Sequence, residues 1–248
     1  MDLETELRDA LWVNWALPAR ALPAPPPPLV LERLGRGDDE VGFVSLVCFR
    51  QRRLRLAALP IVPLSFPQCN LRLLVRDAER VAAVYLLREL VPAWVVPMAR
   101  LVGGQPASAA VFDIACEPGG EQRWRLSAGR PLALSAGPGA PSPSAPLAGS
   151  WPDTVAYFRD RPRAYLGSGR KMRRAETEHP RADAVPMRVE VLDESWLAAR
   201  MPQVPAGLWL RPHSAFLIPS VKLSVALEPS VRAAVERPVP IPGRPAVG

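Results

Sequence analysis

Lysine, histidine and cysteine are scarce in this chain, and their scarcity narrows the chemistry open to it. Lys171 and Lys222 are the only lysines among 248 residues, so nearly all of the positive charge is arginine. Cys48, Cys69 and Cys116 are odd in number and show no CxxC spacing and no nearby histidine, which argues against a disulfide framework and against zinc. They read as buried reduced thiols, with Cys69 set apart by its polar neighbours. No glycine-rich phosphate loop, GxSxG elbow, HExxH pair or acidic metal cluster occurs, so neither a metal nor a cofactor is expected. The formal charge is +7 and the pI near 10.1, values that ordinarily raise nucleic acid as a partner. Clustering is missing, however. Apart from Arg50-Gln51-Arg52-Arg53 and Arg170-Lys171-Met172-Arg173-Arg174 the cations are scattered among acids, and no nucleic-acid partner is expected.

A membrane span is also missing. The most apolar stretch, 81–102, contains Arg88, Glu89 and Arg100 and is interrupted by Pro92 and Pro97. The acidic opening, 1–9, lacks the basic and apolar regions of a signal peptide, which predicts a cytoplasmic protein with no membrane partner. No internal repeat is present, and nothing in the sequence indicates the oligomeric state.

What is present is a hydrophobic content of 48%, enough for a real core and consistent with one domain. Leu3, Leu7, Leu11 and Trp15 recur at spacing four and predict an opening helix over 3–15. The proline run 22–28 predicts an extended connector. Residues 41–49 are rich in Val and Phe, as in a strand covered on both faces, and 52–56 alternates apolar with charged. With strands over 71–76 and 81–87 about a polar turn at 77–80, these segments predict an antiparallel meander. Pro92 suits the start of a helix that Gly103-Gly104 stops and Pro97 kinks. Segments 108–116 and 121–126 predict a hairpin with its turn at Pro118-Gly119-Gly120. The Gly/Pro/Ser/Ala-rich stretch 136–149 predicts a flexible loop. Trp151-Pro152-Asp153-Thr154 opens a short helix, 187–192 resumes strand character, and the Pro-rich tail 228–248 is expected to be disordered.

The informative cluster is Gln68-Cys69-Asn70-Leu71-Arg72. In an extended chain Gln68, Asn70 and Arg72 share one face while Cys69, Leu71 and Leu73 share the other. Three polar side chains in apolar surroundings would be costly to bury without partners, so they line either a cavity or a solvated face. Two amides and a guanidinium suit a carboxylate or carbonyl ligand, with Arg100 nearby. His179, with Glu176 three residues before and Asp183 four after, is the candidate general acid or base, although Pro180 interrupts any helix there. His213 is a weaker candidate, with surface or capping roles as the alternative.

The block Phe66-Pro67-Gln68-Cys69-Asn70-Leu71-Arg72, the hairpin to Val84-Tyr85-Leu86-Leu87, and Met98-Ala99-Arg100-Leu101 resemble the YqjF-like bacterial family of unknown function. That family is similar to the acetoacetate decarboxylase-like superfamily. Trp12-Val13-Asn14-Trp15, Val41-Gly42-Phe43-Val44, Glu178-His179-Pro180 and Pro212-His213-Ser214 extend the resemblance over about 12–225. It implies an α+β fold: one domain, 1–227, whose mostly antiparallel, strongly curved sheet forms a barrel-like cavity flanked by a few helices. The departures bear on function. Gln68 stands where the family has Glu, Leu74 where it has an aromatic, Pro106-Ala107 in place of Pro-Tyr, and Asp160-Arg161-Pro162 in place of a Glu-Arg-Tyr run. The Trp expected beside His179-Pro180 is absent. The Schiff-base lysine of acetoacetate decarboxylases matches a position near Ala107 or Ser108, so the resemblance implies that imine chemistry is lost.

Three readings follow. The first is a binding protein that holds a small anionic or carbonyl-bearing molecule on Gln68, Asn70, Arg72 and Arg100. The second is a hydrolase or lyase using His179 as base and Arg72 as electrostatic stabiliser. The third is a structural or partner-binding protein with a solid interior and an exposed apolar patch.

Overall fold

The structure is a computed structural model that describes residues 2–56, 63–103, 106–117, 119–140, 147, 149–167, 172–178, 180 and 182–228. Its strands, in chain order, are β1 (Asp2–Pro18), β2 (Val30–Leu31), β3 (Arg33–Leu34), β4 (Val41–Leu56), β5 (Leu64–Arg76), β6 (Ala82–Val91) and β7 (Ala107–Ala109). They continue with β8 (Val111–Cys116), β9 (Gln122–Ser127), β10 (Pro131–Pro138), β11 (Arg163–Leu166), β12 (Arg173–Glu178), β13 (Val185–Asp193) and β14 (Ser214–Leu227). The helices are α1 (Val96–Gly103), α2 (Trp151–Arg159) and α3 (Ser195–Arg200). No helix among the described residues is long and apolar enough to cross a membrane.

Seven strands close on themselves in the order β1-β4-β5-β6-β11-β12-β14, with β14 returning to β1. The pairings are antiparallel except β6 with β11, which makes the barrel mixed. The meander predicted from 41–49, 52–56, 71–76 and 81–87 is its β4-β5-β6 segment, with 41–49 and 52–56 forming one continuous strand, β4, instead of two. A second sheet, β8-β9-β10-β13, joins through a short pairing of β13 with β14. The barrel's outward residues, among them Leu11, Trp15, Leu46 and Leu71, pack against Trp124 and Leu134 of that sheet and Trp196 of α3 in one buried core. A second core lies inside the barrel, where Trp12, Phe43 and Phe216 meet Val155 and Phe158 of α2. Helix α2 is positioned by a capping box in which Ser150 and Asp153 satisfy each other's backbone amides.

The helix predicted over 3–15 is strand β1. Spacing four is a multiple of the strand period of two, so a strand buried on both faces reproduces the stripe. A left-handed residue at Asp9 (φ 52°) and a register shift between Arg8 and Leu11 also switch the face. Leu7 and Trp12 therefore point inward while Leu11 and Trp15 point into the other core. The predicted strand 108–116 is divided at Ala110. Its first part, β7, pairs parallel with β6, and its second, β8, forms the expected hairpin with β9. Within 136–149, strand β10 continues to Pro138, and residues 141–146 and 148 lie outside the described residues, as does the tail from 229 onward.

Closure is reinforced by a buried polar link. Ser45 Oγ on β4 donates to Asn14 Oδ1 at 2.5 Å, and Asn14 Nδ2 on β1 donates to Ser214 Oγ on β14 at 3.2 Å. One amide thus ties together the three strands that meet at the seam, and none of the three side chains is left unpaired.

Candidate functional site

Strand β5 presents Phe66, Gln68, Asn70 and Arg72 to the barrel interior, where they line a cavity of about 350 Å³. Cys69, Leu71 and Leu73 face the other core, as period two requires. Cys69 lies opposite Cys48 across β4; both are free and buried, and burial pushes the Cys69 thiol well up.

Gln68 Nε2 donates to Asn70 Oδ1 at 2.9 Å and to Glu89 Oε1 at 2.5 Å. Glu89 lines the cavity because of a bulge: Leu71 pairs with Arg88 but Arg72 with Leu86, so one extra residue of β6 shifts the alternation. Strict alternation after Val84 and Leu86 would have turned Arg88 inward. Glu89 is 3% exposed, and loss of water pushes its carboxyl up to about 8. At neutral pH it is a carboxylic acid, able to donate as well as accept.

Arg72 is 9% exposed. Nη2 donates to the Phe158 carbonyl at 3.3 Å, the guanidinium lies 5.6 Å from the Trp12 ring centroid, and Nε has no protein partner. Burial, then the charge of Arg161, lowers its pKa to about 9, so it stays a cation at neutral pH. Trp12 Nε1 is likewise buried without a partner. The site therefore has two unsatisfied donors, one of them cationic, on residues that line the same cavity.

Arg161, which also lines the cavity, has its charge satisfied elsewhere. It is 3% exposed and pairs with the buried carboxylate of Glu32. Its Nε donates to the Tyr157 carbonyl at 2.8 Å, and its guanidinium lies over the Tyr157 ring at 4.5 Å. Glu32 also accepts from Arg76 Nη2 at 2.8 Å.

Arg100 does not join this group. It is exposed at the end of α1, where Nη2 donates to the Ala107 carbonyl at 3.1 Å, and it is not among the cavity-lining residues. His213 packs edge-on to Phe43 at 6.0 Å and donates its backbone amide to Asn14; it does not line the cavity. His179 lies outside the described residues. Among those residues no group of three His, Cys, Asp or Glu could hold a metal ion.

Glu89 and Arg161 were absent from the sequence-derived site. Glu89 left one signal, a lone acid in an apolar strand. Arg161 left another, the altered run at 160–162.

The raised Glu89 carboxyl makes a measurable prediction. Between the ordinary carboxylate value of 4.5 and about 8 the folded protein holds a proton that the unfolded chain releases. Stability should therefore fall as pH rises through that window and level off above it. Glu89→Gln keeps an acceptor for Gln68 and removes the slope. Chemical denaturation at pH 5 and pH 9 should show the variant gaining on the parent by a few kcal/mol at the higher pH, on the order of 1.4 kcal/mol for each pH unit across the window. Parallel pH profiles would contradict the assignment.

A closed mixed seven-strand barrel with a second sheet packed on its outside and few helices is an acetoacetate decarboxylase-like fold, and solved structures of that class superpose on this chain. Acetoacetate decarboxylase from Legionella pneumophila does so with a TM-score of 0.57 at 12% identity, over 93% of this chain and 88% of its own. The enduracididine biosynthesis enzyme MppR, complexed with the condensation product of pyruvate and imidazole 4-carboxaldehyde, gives 0.56 at 15%, over 92% and 89%. An acetoacetate decarboxylase-like enzyme from Sphingomonas wittichii RW1 gives 0.55 at 11%, over 92% and 94%. The chain itself belongs to DUF2071, a YqjF-like family of uncharacterized conserved proteins, whose model matches residues 4–222. No curated protein matches the chain.

Proposed function

We propose that this protein binds a small anionic or carbonyl-bearing molecule in the barrel cavity, on Arg72, Gln68 and Asn70, and that it does so without Schiff-base chemistry. The observation that carries this reading is Arg72, a cation buried against the cavity with no carboxylate in ion-pair range among the described residues and with Nε unpartnered. Folding has already stripped the guanidinium of water, so an arriving carboxylate gains a charge-assisted hydrogen bond without further desolvation of the protein's own charge. Trp12 Nε1, Asn70 and the protonated Glu89 supply further donors on the same lining. Of the superposed proteins, one is named for acetoacetate and another is complexed with a pyruvate condensation product, and both molecules are of this chemical kind.

Against imine formation stands the lining itself, which among the described residues contains no lysine. The resemblance places the Schiff-base lysine near Ala107 or Ser108; these lie opposite Glu89 and Leu90 in the pairing of β6 with β7, with Ala107 buried. Lys222 is exposed on β14, and Lys171 lies outside the described residues.

Thermal-shift measurements across organic acids and carbonyl compounds test the binding reading. A true ligand at about one hundred times its Kd should stabilise the fold by about 2.7 kcal/mol. Borohydride treatment with pyruvate or acetoacetate should leave the protein mass unchanged. No shift with any compound, or a borohydride-trapped adduct, would sink the respective half of the proposal.

A further inference from the structure

Gln68, Asn70, Arg72 and Glu89 stand together on the neighbouring strands β5 and β6, while Thr5, Gln51, Arg55, Arg161 and Thr177 line the cavity from other segments. Strands β6, β11, β12 and β14 contribute Val84, Leu86, Leu166, Ala175, Val225 and Leu227, which form a continuous apolar cluster inside the barrel. The segment that carries Val95 and Met98 into the lining is apolar outward as well, with Trp94 58% and Leu101 84% exposed. A two- or three-carbon acid seated on Arg72 would leave that wall facing water, and apolar surface of this extent gains most when covered by apolar surface.

We propose that the ligand is an amphipathic monocarboxylate, its head on Arg72 and an apolar tail against the Val84–Leu227 wall. The proposal rests on the binding reading above and specifies its ligand class. Among the described lining residues Arg72 is the one cation without a carboxylate partner, Arg55 pairing with Glu4 and Arg161 with Glu32, and it matches a single carboxylate. A second carboxylate seated against Val84, Leu86, Leu166 and Leu227 would be stripped of water by apolar side chains, so the wall discriminates against dicarboxylates. Taking roughly 30 Å³ per group, the share of a water molecule in the liquid, the 350 Å³ cavity holds on the order of ten non-hydrogen atoms, the size of octanoate.

Isothermal titration of the intact chain with acetate, butyrate, hexanoate, octanoate and dodecanoate, and with octanol and octanedioate, separates the possibilities. Affinity should rise about fourfold per methylene, on the order of 200-fold from butyrate to octanoate, at one site per chain, and should stop rising by dodecanoate. Octanol and octanedioate should bind at least tenfold more weakly than octanoate. Val225→Phe, which fills part of the tail space, should move the optimum to shorter acids; if that variant does not fold, the series on the parent chain decides alone. Butyrate binding as tightly as octanoate would overturn the amphipathic ligand and leave the anion site standing. Failure of every acid to bind, or octanol equal to octanoate, would overturn both.

Discussion

Arg72→Met should weaken carboxylate binding by about 100-fold or more while leaving the melting temperature unchanged or higher. The two effects have one cause. A buried charge paired with a ligand contributes on the order of 2–5 kcal/mol to the complex, but in the free protein the same charge is desolvated and poorly compensated. What the substitution removes from the fold is one 3.3 Å hydrogen bond to the Phe158 carbonyl and a guanidinium–indole contact at 5.6 Å. What it relieves is the burial of a cation beside Arg161, the pressure that brings the Arg72 pKa down to about 9. Methionine fills similar volume without a polar atom that needs a partner. Replacing buried charge by apolar side chains of similar size is often neutral or stabilising by about 1–4 kcal/mol. Calorimetric unfolding and titration on the same preparation check both halves. A variant that loses several degrees yet retains ligand affinity would show Arg72 to be structural.

Glu32→Gln should have the opposite signature, a large loss of stability with anion affinity kept or increased. Glu32 and Arg161 are 5% and 3% exposed, and Glu32 joins the β2–β3 segment to the turn after α2 by accepting from Arg161 and to the end of β5 by accepting from Arg76. Removing one partner of a buried pair leaves the other charge uncompensated, at a cost of about 3–5 kcal/mol. For a chain of this length that corresponds to a drop in melting temperature on the order of 10 °C. The freed Arg161 charge faces the cavity beside Arg72, which favours an arriving anion. Glu32→Leu combined with Arg161→Met should recover most of the stability, because no charge is then stranded. A single-variant loss below about 1 kcal/mol would place the pair with the weak surface bridges.

Much of the local structure was legible in the residues. Strands β4, β5 and β6 and the turn at 77–80 followed from alternation and from turn chemistry. The two faces of β5 were separable before any partner was known, because side chains on a strand alternate without exception unless a bulge intervenes. Bulges are where local legibility ends. The shift that turns Glu89 inward depends on how β6 registers against β5. The bulge at Asp9 puts Leu7 and Leu11, four residues apart, on opposite faces of β1. Neither has a side-chain signature within its own segment.

The sequence by itself thus determined the polar stripe Gln68-Asn70-Arg72, the apolar face behind it, the scarcity of lysine and the resemblance to an uncharacterised family with an acetoacetate decarboxylase-like fold. Only the tertiary structure decided that β14 returns to β1, that Glu89 and the Glu32–Arg161 pair stand around Arg72, and that Arg100 stays outside. The reason is physical: alternation and propensity act over a few neighbouring residues, whereas closure, register and the partner of a buried charge depend on residues far apart in the chain, such as Asn14 and Ser214, 200 positions apart.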